Sequence, residues 1–281
     1  MIRGIYTSAA GMLVETMRQD QVANNLANVD TTGYKQDGMV FKELPAMRIR
    51  RVNDGKLYPP RPIYKYPRIG KIGTGAIADE TYTRWEAGKM SYTGNELDVS
   101  LDNEKAFFIV DGKNGIRFSR DGSWTLDDEG FLMDSNGDYI LGEILGDEDQ
   151  NSGVLINDDG TVNANFQRIQ VGLGKKCTVD EEGRVLLDNE PLFRIVTGIA
   201  ADRKAFRKEG SNKFIRAYGD VTRAETNFLP GYLEKPNFSV VEEMVRMIEV
   251  SRAYEANSKV IQSHDNLLDK CINSVGTTRR S

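Results

Sequence analysis

Histidine is almost absent from this 281-residue chain: His264 is the only one. Two cysteines, Cys177 and Cys271, are the only thiols, and no spacing relates them. A zinc site needs more, and the two thiols are expected to stay unpaired. His264 has no cluster of acids around it in sequence, so an interface or solvated role is expected rather than catalysis. No glycine-rich loop ends in Lys-Ser or Lys-Thr; residues 172–176 (Gly-Leu-Gly-Lys-Lys) lack the phosphate-cradling spacing. No serine stands in a Gly-x-Ser-x-Gly context. Residues 134–138 (Asp-Ser-Asn-Gly-Asp) start like a calcium loop, but Leu145 occupies its twelfth position, so a hairpin turn is expected. The chain therefore reads as a non-enzyme without cofactor or metal. Long apolar runs are also missing: the longest, residues 106–110, is far too short to cross a bilayer. The start, Met-Ile-Arg-Gly-Ile, has no apolar signal core. It implies either a cytoplasmic protein or export by a route that cleaves nothing.

The net charge of −5 argues against a general nucleic-acid binder, yet the mean hides an asymmetry. Residues 45–72 carry eight basic side chains (Arg48, Arg50, Arg51, Lys56, Arg61, Lys65, Arg68 and Lys71) against the single acid Asp54. Residues 125–160 carry eleven acids and no lysine or arginine.

Between Pro236 and Gly276 there is neither glycine nor proline. Met244, Met247, Ser251, Tyr254, Ser258, Ile261, Asp265, Leu268, Ile272 and Val275 alternate spacings of three and four, the seam of a coiled coil. Ser239 with Glu242 forms a capping box, and Gly276 suits the stop. Such a helix, roughly 54 Å long at ~1.5 Å per residue, cannot bury its seam on itself. Ile2, Ile5, Ala9, Met12, Thr16, Gln19, Ala23 and Leu26 repeat the spacing at the other end of the chain. Polar residues interrupt both seams, so the helices are expected to be marginal alone and to gain from assembly. An intramolecular pair that merely closes a domain is the plainer alternative.

Residues 45–72 hold five of the eight prolines, which predicts an extended arm. From residue 73 to 235, dipeptides such as Asp111-Gly112, Asp121-Gly122, Glu129-Gly130, Asn136-Gly137, Asp159-Gly160 and Glu182-Gly183 separate short aromatic and β-branched segments. The pattern predicts an α+β chain. A discontinuous helical domain (1–33 plus 239–276) forms a coiled-coil-like stalk, followed by an arm (34–72) and an inserted antiparallel β domain (73–235).

Specific motifs carry a family resemblance. Residues 4–12 (Gly-Ile-Tyr-Thr-Ser-Ala-Ala-Gly-Met) and 23–35 (Ala-Asn-Asn-Leu-Ala-Asn-Val-Asp-Thr-Thr-Gly-Tyr-Lys) closely resemble the N-terminal signature of the bacterial flagellar rod and hook proteins. Residues 241–248 (Val-Glu-Glu-Met-Val-Arg-Met-Ile) and 252–257 (Arg-Ala-Tyr-Glu-Ala-Asn) resemble that family's other end. Residues 97–101, 107–110 and 118–127 (Phe-Ser-Arg-Asp-Gly-Ser-Trp-Thr-Leu-Asp) resemble its β-domain motif. Length then points to a rod member that carries a β domain. The resemblance implies a subunit of the periplasm-crossing rod, exported unprocessed through the flagellar type III apparatus. Its partners would be other rod subunits and itself, with no nucleic acid and no membrane insertion. It also implies terminal helices that order on joining neighbours.

On that footing the expected subunit contacts are Ile5, Ala9, Met12, Leu26, Met244, Met247, Tyr254, Ile261, Leu268 and Ile272. Asn24, Asn25 and Asn28 would either cross-link subunits or cap and turn the chain locally. Opposite charges suggest further contacts between Arg48, Arg50, Arg51 and Lys65 of one subunit and Asp127, Asp128 and Glu129 of another, against the alternative that both faces are simply solvated. A self-contained binding module or carbohydrate-active enzyme is the competing class.

Overall fold

Short β-branched and aromatic segments fill the middle of the chain, and in the computed structural model they form strands. The structure describes residues 2–50, 68–113, 115–145, 154–156, 166–172, 177–188, 190–210 and 212–277. They pack as two units: the described residues within 1–26, 37–82 and 241–281 form one, and those within 27–36 and 83–240 form the other. The architecture is α+β, two terminal helices around an antiparallel β region.

In the β unit, the strand at Phe107–Gly112 is the pivot of a fourteen-stranded sheet. It pairs antiparallel with Gly115–Ser119, Tyr139–Ile144 and Thr197–Ala200. Its side chains alternate between two apolar cores, so both faces of the strand are buried. Phe108 and Val110 join Trp124, Leu132, Ile140, Val185 and Phe228. Phe107 and Ile109 join Phe118, Phe206, Phe214 and Val221. Ring centroids of Phe108 and Trp124 lie 4.9 Å apart, as do those of Phe107 and Phe206. Several expected turn dipeptides are turns: Gly130, Gly137 and Gly183 all have positive φ. Asp121-Gly122 is not a surface turn, because Asp121 is fully buried. A Cβ on Gly122 would sit 1.6 Å from the Val99 carbonyl oxygen. Asp159-Gly160 lies outside the described residues.

In the other unit, helix α1 spans Ile2–Ala27 and helix α2 spans Val240–Thr277. α2 starts one residue after the expected cap Ser239, but its span continues past Gly276 rather than stopping there. Where the sequence reading has an extended arm over 34–72, the structure has strands. β1 (Asp37–Glu43) forms a two-stranded sheet with β4 (Ala76–Thr83), and β2 (Met47–Arg50) pairs antiparallel with β3 (Arg68–Ile72). The Leu44 N–H donates to the Gly75 carbonyl at 2.9 Å between the two ladders. Proline bars pairing only at its own N–H, and the β-branched or long residues between the prolines are free to form ladders. The proline-dense residues 51–67 lie outside the described residues, Arg51 and Lys65 among them.

Candidate assembly interface

α1 meets α2 through small and polar residues. A Cβ on Gly4 would lie 2.8 Å from Nε2 of His264, and one on Gly11 would lie 3.0 Å from Nδ2 of Asn257. Buried Asn25 donates through Nδ2 to Oε2 of buried Glu243 at 3.3 Å. From Gly4 to Gly11 is seven residues, matched by seven back from His264 to Asn257, and fourteen more on α1 are matched by fourteen on α2. The helices therefore run antiparallel at heptad-multiple intervals, with glycines admitting the larger side chains of α2. On another flank of α1, the Arg18 guanidinium lies 5.3 Å from the ring centroid of Phe41. A cleft of about 370 Å³ is lined there by Met17, Gln21, Asn24, Asp37, Met39 and Thr81.

The apolar residues of the helices divide: Val14, Val22 and Val250 are buried, and others are exposed. Tyr6 and Leu13 on α1 are 69% and 65% exposed. Val241, Met244, Val245 and Ile248, on the first turns of α2, are 69%, 50%, 49% and 52% exposed. Of the residues expected from sequence, Met244, Tyr254 and Ile272 are exposed, while Ile5, Ala9, Met12, Leu26, Met247, Ile261 and Leu268 are half-buried. The intramolecular stripe on α1 (Gly4, Ser8, Gly11, Val22, Asn25) sits one residue back from the expected seam. A hydrophobic period shows where apolar side chains lie, whereas close helix approach selects small ones.

The three asparagines divide. Asn24 is exposed on the cleft. Asn25 donates to the Asp37 carbonyl at 3.2 Å and accepts from the Asp37 N–H at 3.2 Å, so its amide acts within the chain. Asn28 accepts locally, from the Thr31 hydroxyl at 3.3 Å and the Thr31 N–H at 3.2 Å.

Sequence reasoning missed a buried ionic anchor in the β unit. Lys35 Nζ donates to Oε1 of Glu234 at 2.6 Å and to the Glu86 carbonyl at 2.8 Å. Arg120 Nε lies 2.8 Å from Oε2 of Glu234, and its Nη1 donates to the carbonyls of Asn103 and Ala106. The Gly88 N–H also donates to Glu234 at 2.9 Å. Burial would raise the Glu234 carboxyl, but Arg120, Lys35 and the Gly88 N–H outweigh it and hold it below the usual range. Beside it, buried Asp121 accepts from the hydroxyls of Thr32, Ser123 and Ser135 and from the Asn212 amide. Gly33, at φ +68°, completes the fit: a Cβ there would stand 2.4 Å from the Arg120 carbonyl carbon. The available signal was a charged pair, Arg120-Asp121, set between apolar Phe118 and Trp124.

Three of the six described acids of the acidic run are paired within the chain, and the other five of its eleven lie outside the described residues. Lys213 pairs with Asp138, and with Asp134 at 3.1 Å; Arg223 pairs with Glu143. Asp128 and Glu129 remain exposed on a turn closed by the Gly130 N–H to the Asp127 carbonyl at 2.8 Å. Among the described residues no three His, Cys, Asp or Glu side chains group as metal ligands. No described helix is long and apolar enough to cross a membrane.

Residues 5–35, which carry α1 and the Lys35 anchor, match the family described as flagella basal body rod protein. Residues 103–164 match the flagellar hook protein FlgE/F/G D1 domain, and residues 229–275 match the flagellar basal body rod FlgEFG protein C-terminal family. A flagellar basal-body rod protein FlgG of Borreliella burgdorferi is 31% identical, over 95% of this chain and 97% of its own length. The chain belongs to the flagellar basal-body rod protein family. A flagellar hook-basal body complex protein FlhO of Bacillus subtilis is 26% identical over 98% of this chain and 99% of its own. A flagellar basal-body rod protein FlgF of Caulobacter vibrioides is 25% identical, again over 98% and 99%. The family is structural rather than enzymatic, in keeping with what the sequence lacks. Its two terminal matches fall on α1 and α2, and the D1 match falls on the pivot strand and its neighbours.

Proposed function

We propose that this chain is a subunit of the flagellar rod that joins its neighbours through the faces of α1 and α2 its own fold leaves bare. The observation that carries this reading is the group of large apolar residues that both helices leave exposed beside a contact rich in small and polar residues. Their mutual contact uses Gly4, Gly11, Asn25, Glu243, Asn257 and His264, while Tyr6, Leu13, Val241, Met244, Val245 and Ile248 face outward. Apolar residues grouped on one exposed helix face form a docking surface. α2, 38 residues and about 57 Å long at ~1.5 Å per residue, is long enough to contact several neighbours in a coiled-coil-like stalk. Partners are copies of the chain and other rod subunits. The place of work is the periplasmic rod, reached unprocessed through the flagellar type III apparatus.

Sedimentation of the full chain at rising concentration tests this reading. Val245→Asp with Ile248→Asp is expected to abolish large species while the melt of the β unit stays within about 0.5 kcal/mol of wild type, as for exposed substitutions. Unimpaired assembly of that variant overturns it.

Within the rod, residues 3–12, 88–93 and 97–99 favour the FlgF type, and residues 72–75 (Ile-Gly-Thr-Gly) favour the FlgG type. We favour the FlgF type on the larger set of motifs, with FlgG the alternative; identity does not separate them, because the FlgG and FlgF of Caulobacter vibrioides are 26% and 25% identical to this chain. Restored motility in a host lacking one of the two proteins, and not in a host lacking the other, separates them.

A further inference from the structure

The β2–β3 ribbon places like charges opposite one another. Arg48 faces Lys71 and Arg50 faces Arg68 across the ladder. Arg48 and Arg50 are two apart on β2, and the register shifts between Ile49 and Arg50 so that Ile69 is the extra residue of a bulge on β3; Lys71 and Arg68, each opposite one of these arginines, therefore share their face. Met47 and Ile49, paired with Ile72 and Gly70, alternate to the other face. There Met47 and Ile72 line a small cavity with Tyr6, Thr7, Gly73 and Thr74. Directly opposed like charges destabilise a two-stranded ladder. Among the described residues, no carboxylate stands within ion-pair distance of Arg48, Arg68 or Lys71.

Resting on the rod reading above, we propose that this cationic face is a docking surface for the Asp127–Asp128–Glu129 turn of a second copy of the chain. Charge complementarity selects the occupant. Asp134, Asp138 and Glu143 from the same acidic run are already paired within the chain. Asp128 and Glu129 are exposed, and no described basic side chain pairs with them or with Asp127. A contact between copies relieves the repulsion inside the ribbon and the excess negative charge of the turn together. Its main effect is on register and specificity of assembly, and it weakens as salt screens it.

The test separates docking from the ribbon's own stability. Arg48→Glu with Arg68→Glu converts both cross-strand pairs to opposite charges, so the ribbon is no less stable, but the face falls from four positive charges to none net. Assembly, read by sedimentation of the full chain in low salt, is expected to drop at least tenfold in apparent affinity. Asp127→Lys, Asp128→Lys and Glu129→Lys on a separate chain should fail likewise. Mixed with a chain carrying Arg48→Glu, Arg50→Glu, Arg68→Glu and Lys71→Glu, it should assemble again, because each variant then offers the other a matching face. Normal assembly of the first variant overturns the proposal as a merely solvated face. Failure of the mixture overturns it in favour of a contact within one chain or with a different acidic protein. Failure of wild-type chain to assemble at all would instead count against the rod reading.

Discussion

Gly4 of α1 lies so close to His264 of α2 that a single methyl group would stand 2.8 Å from the imidazole Nε2. Glycine inside a helix costs about 1 kcal/mol relative to alanine, so the position sacrifices local helix stability for approach. Gly4→Ala alone is expected to gain none of that propensity. In a His264→Ala background the same substitution should gain most of the ~1 kcal/mol. The double-mutant cycle, followed by helix signal in denaturant, reads the coupling. Equal effects of Gly4→Ala in both backgrounds would show that the helices do not meet there.

This contact also shows what the sequence could and could not disclose. The existence of both helices, the limits of α2 and the antiparallel β character were legible from spacing, from the absence of glycine and proline over 237–275, and from the turn dipeptides, whereas α1 ends at Ala27, six residues before the expected 33. The first half of the intramolecular face of α1 was not legible, because it is built from Gly4, Ser8 and Gly11, which give no hydrophobic signal. The ribbon was hidden by proline density, which spoke for the residues around Pro59–Pro62 and not for Met47–Arg50 or Arg68–Ile72. Charge counting did not disclose the pairing of Asp134, Asp138 and Glu143, since a carboxylate's sequence neighbours do not reveal that Lys213 or Arg223 will reach it.

Glu234 links stability to acid. Its folded carboxyl titrates below the ordinary range, held there by Arg120 and Lys35 against the cost of burial. The associated stability is therefore fully present above the unfolded value of about 4.3 and is lost as pH falls through the folded value. Denaturant melts of the β unit should weaken below about pH 4. Glu234→Gln leaves two buried cations without their counter-ion and should cost roughly 3–5 kcal/mol at neutral pH, with a smaller acid dependence. A variant as stable as wild type at pH 7 would remove the anchor's role.

The two thiols should react very differently. Cys177 is buried, and burial raises its thiol to about 11, whereas Cys271 on α2 is exposed. The thiolate is the reactive form, so at pH 8 one equivalent of a disulfide reagent should be consumed quickly, all of it by Cys271. Cys271→Ser should abolish the fast phase, and denaturant should release the second equivalent. Two fast equivalents from folded chain would mean that the strand at Cys177–Val179 opens readily.

Protection against hydrogen exchange should be uneven in the dilute monomer. The pivot strand Phe107–Gly112 is paired on both sides and buried between two aromatic cores, so its amides open only with the whole unit. Among the described side chains of the helices only Val14, Val22 and Val250 are buried apolar residues, and glycine and polar side chains share the contact, so their amides open locally at far lower cost. Residues 5–26 and 244–272 are expected to exchange orders of magnitude faster than residues 107–112. The difference should shrink on assembly, because a bound neighbour adds its binding free energy to helix opening. Protection of the helices equal to that of the pivot strand in monomer would mean that they are already satisfied within one chain, and the exposed apolar faces would then need another explanation.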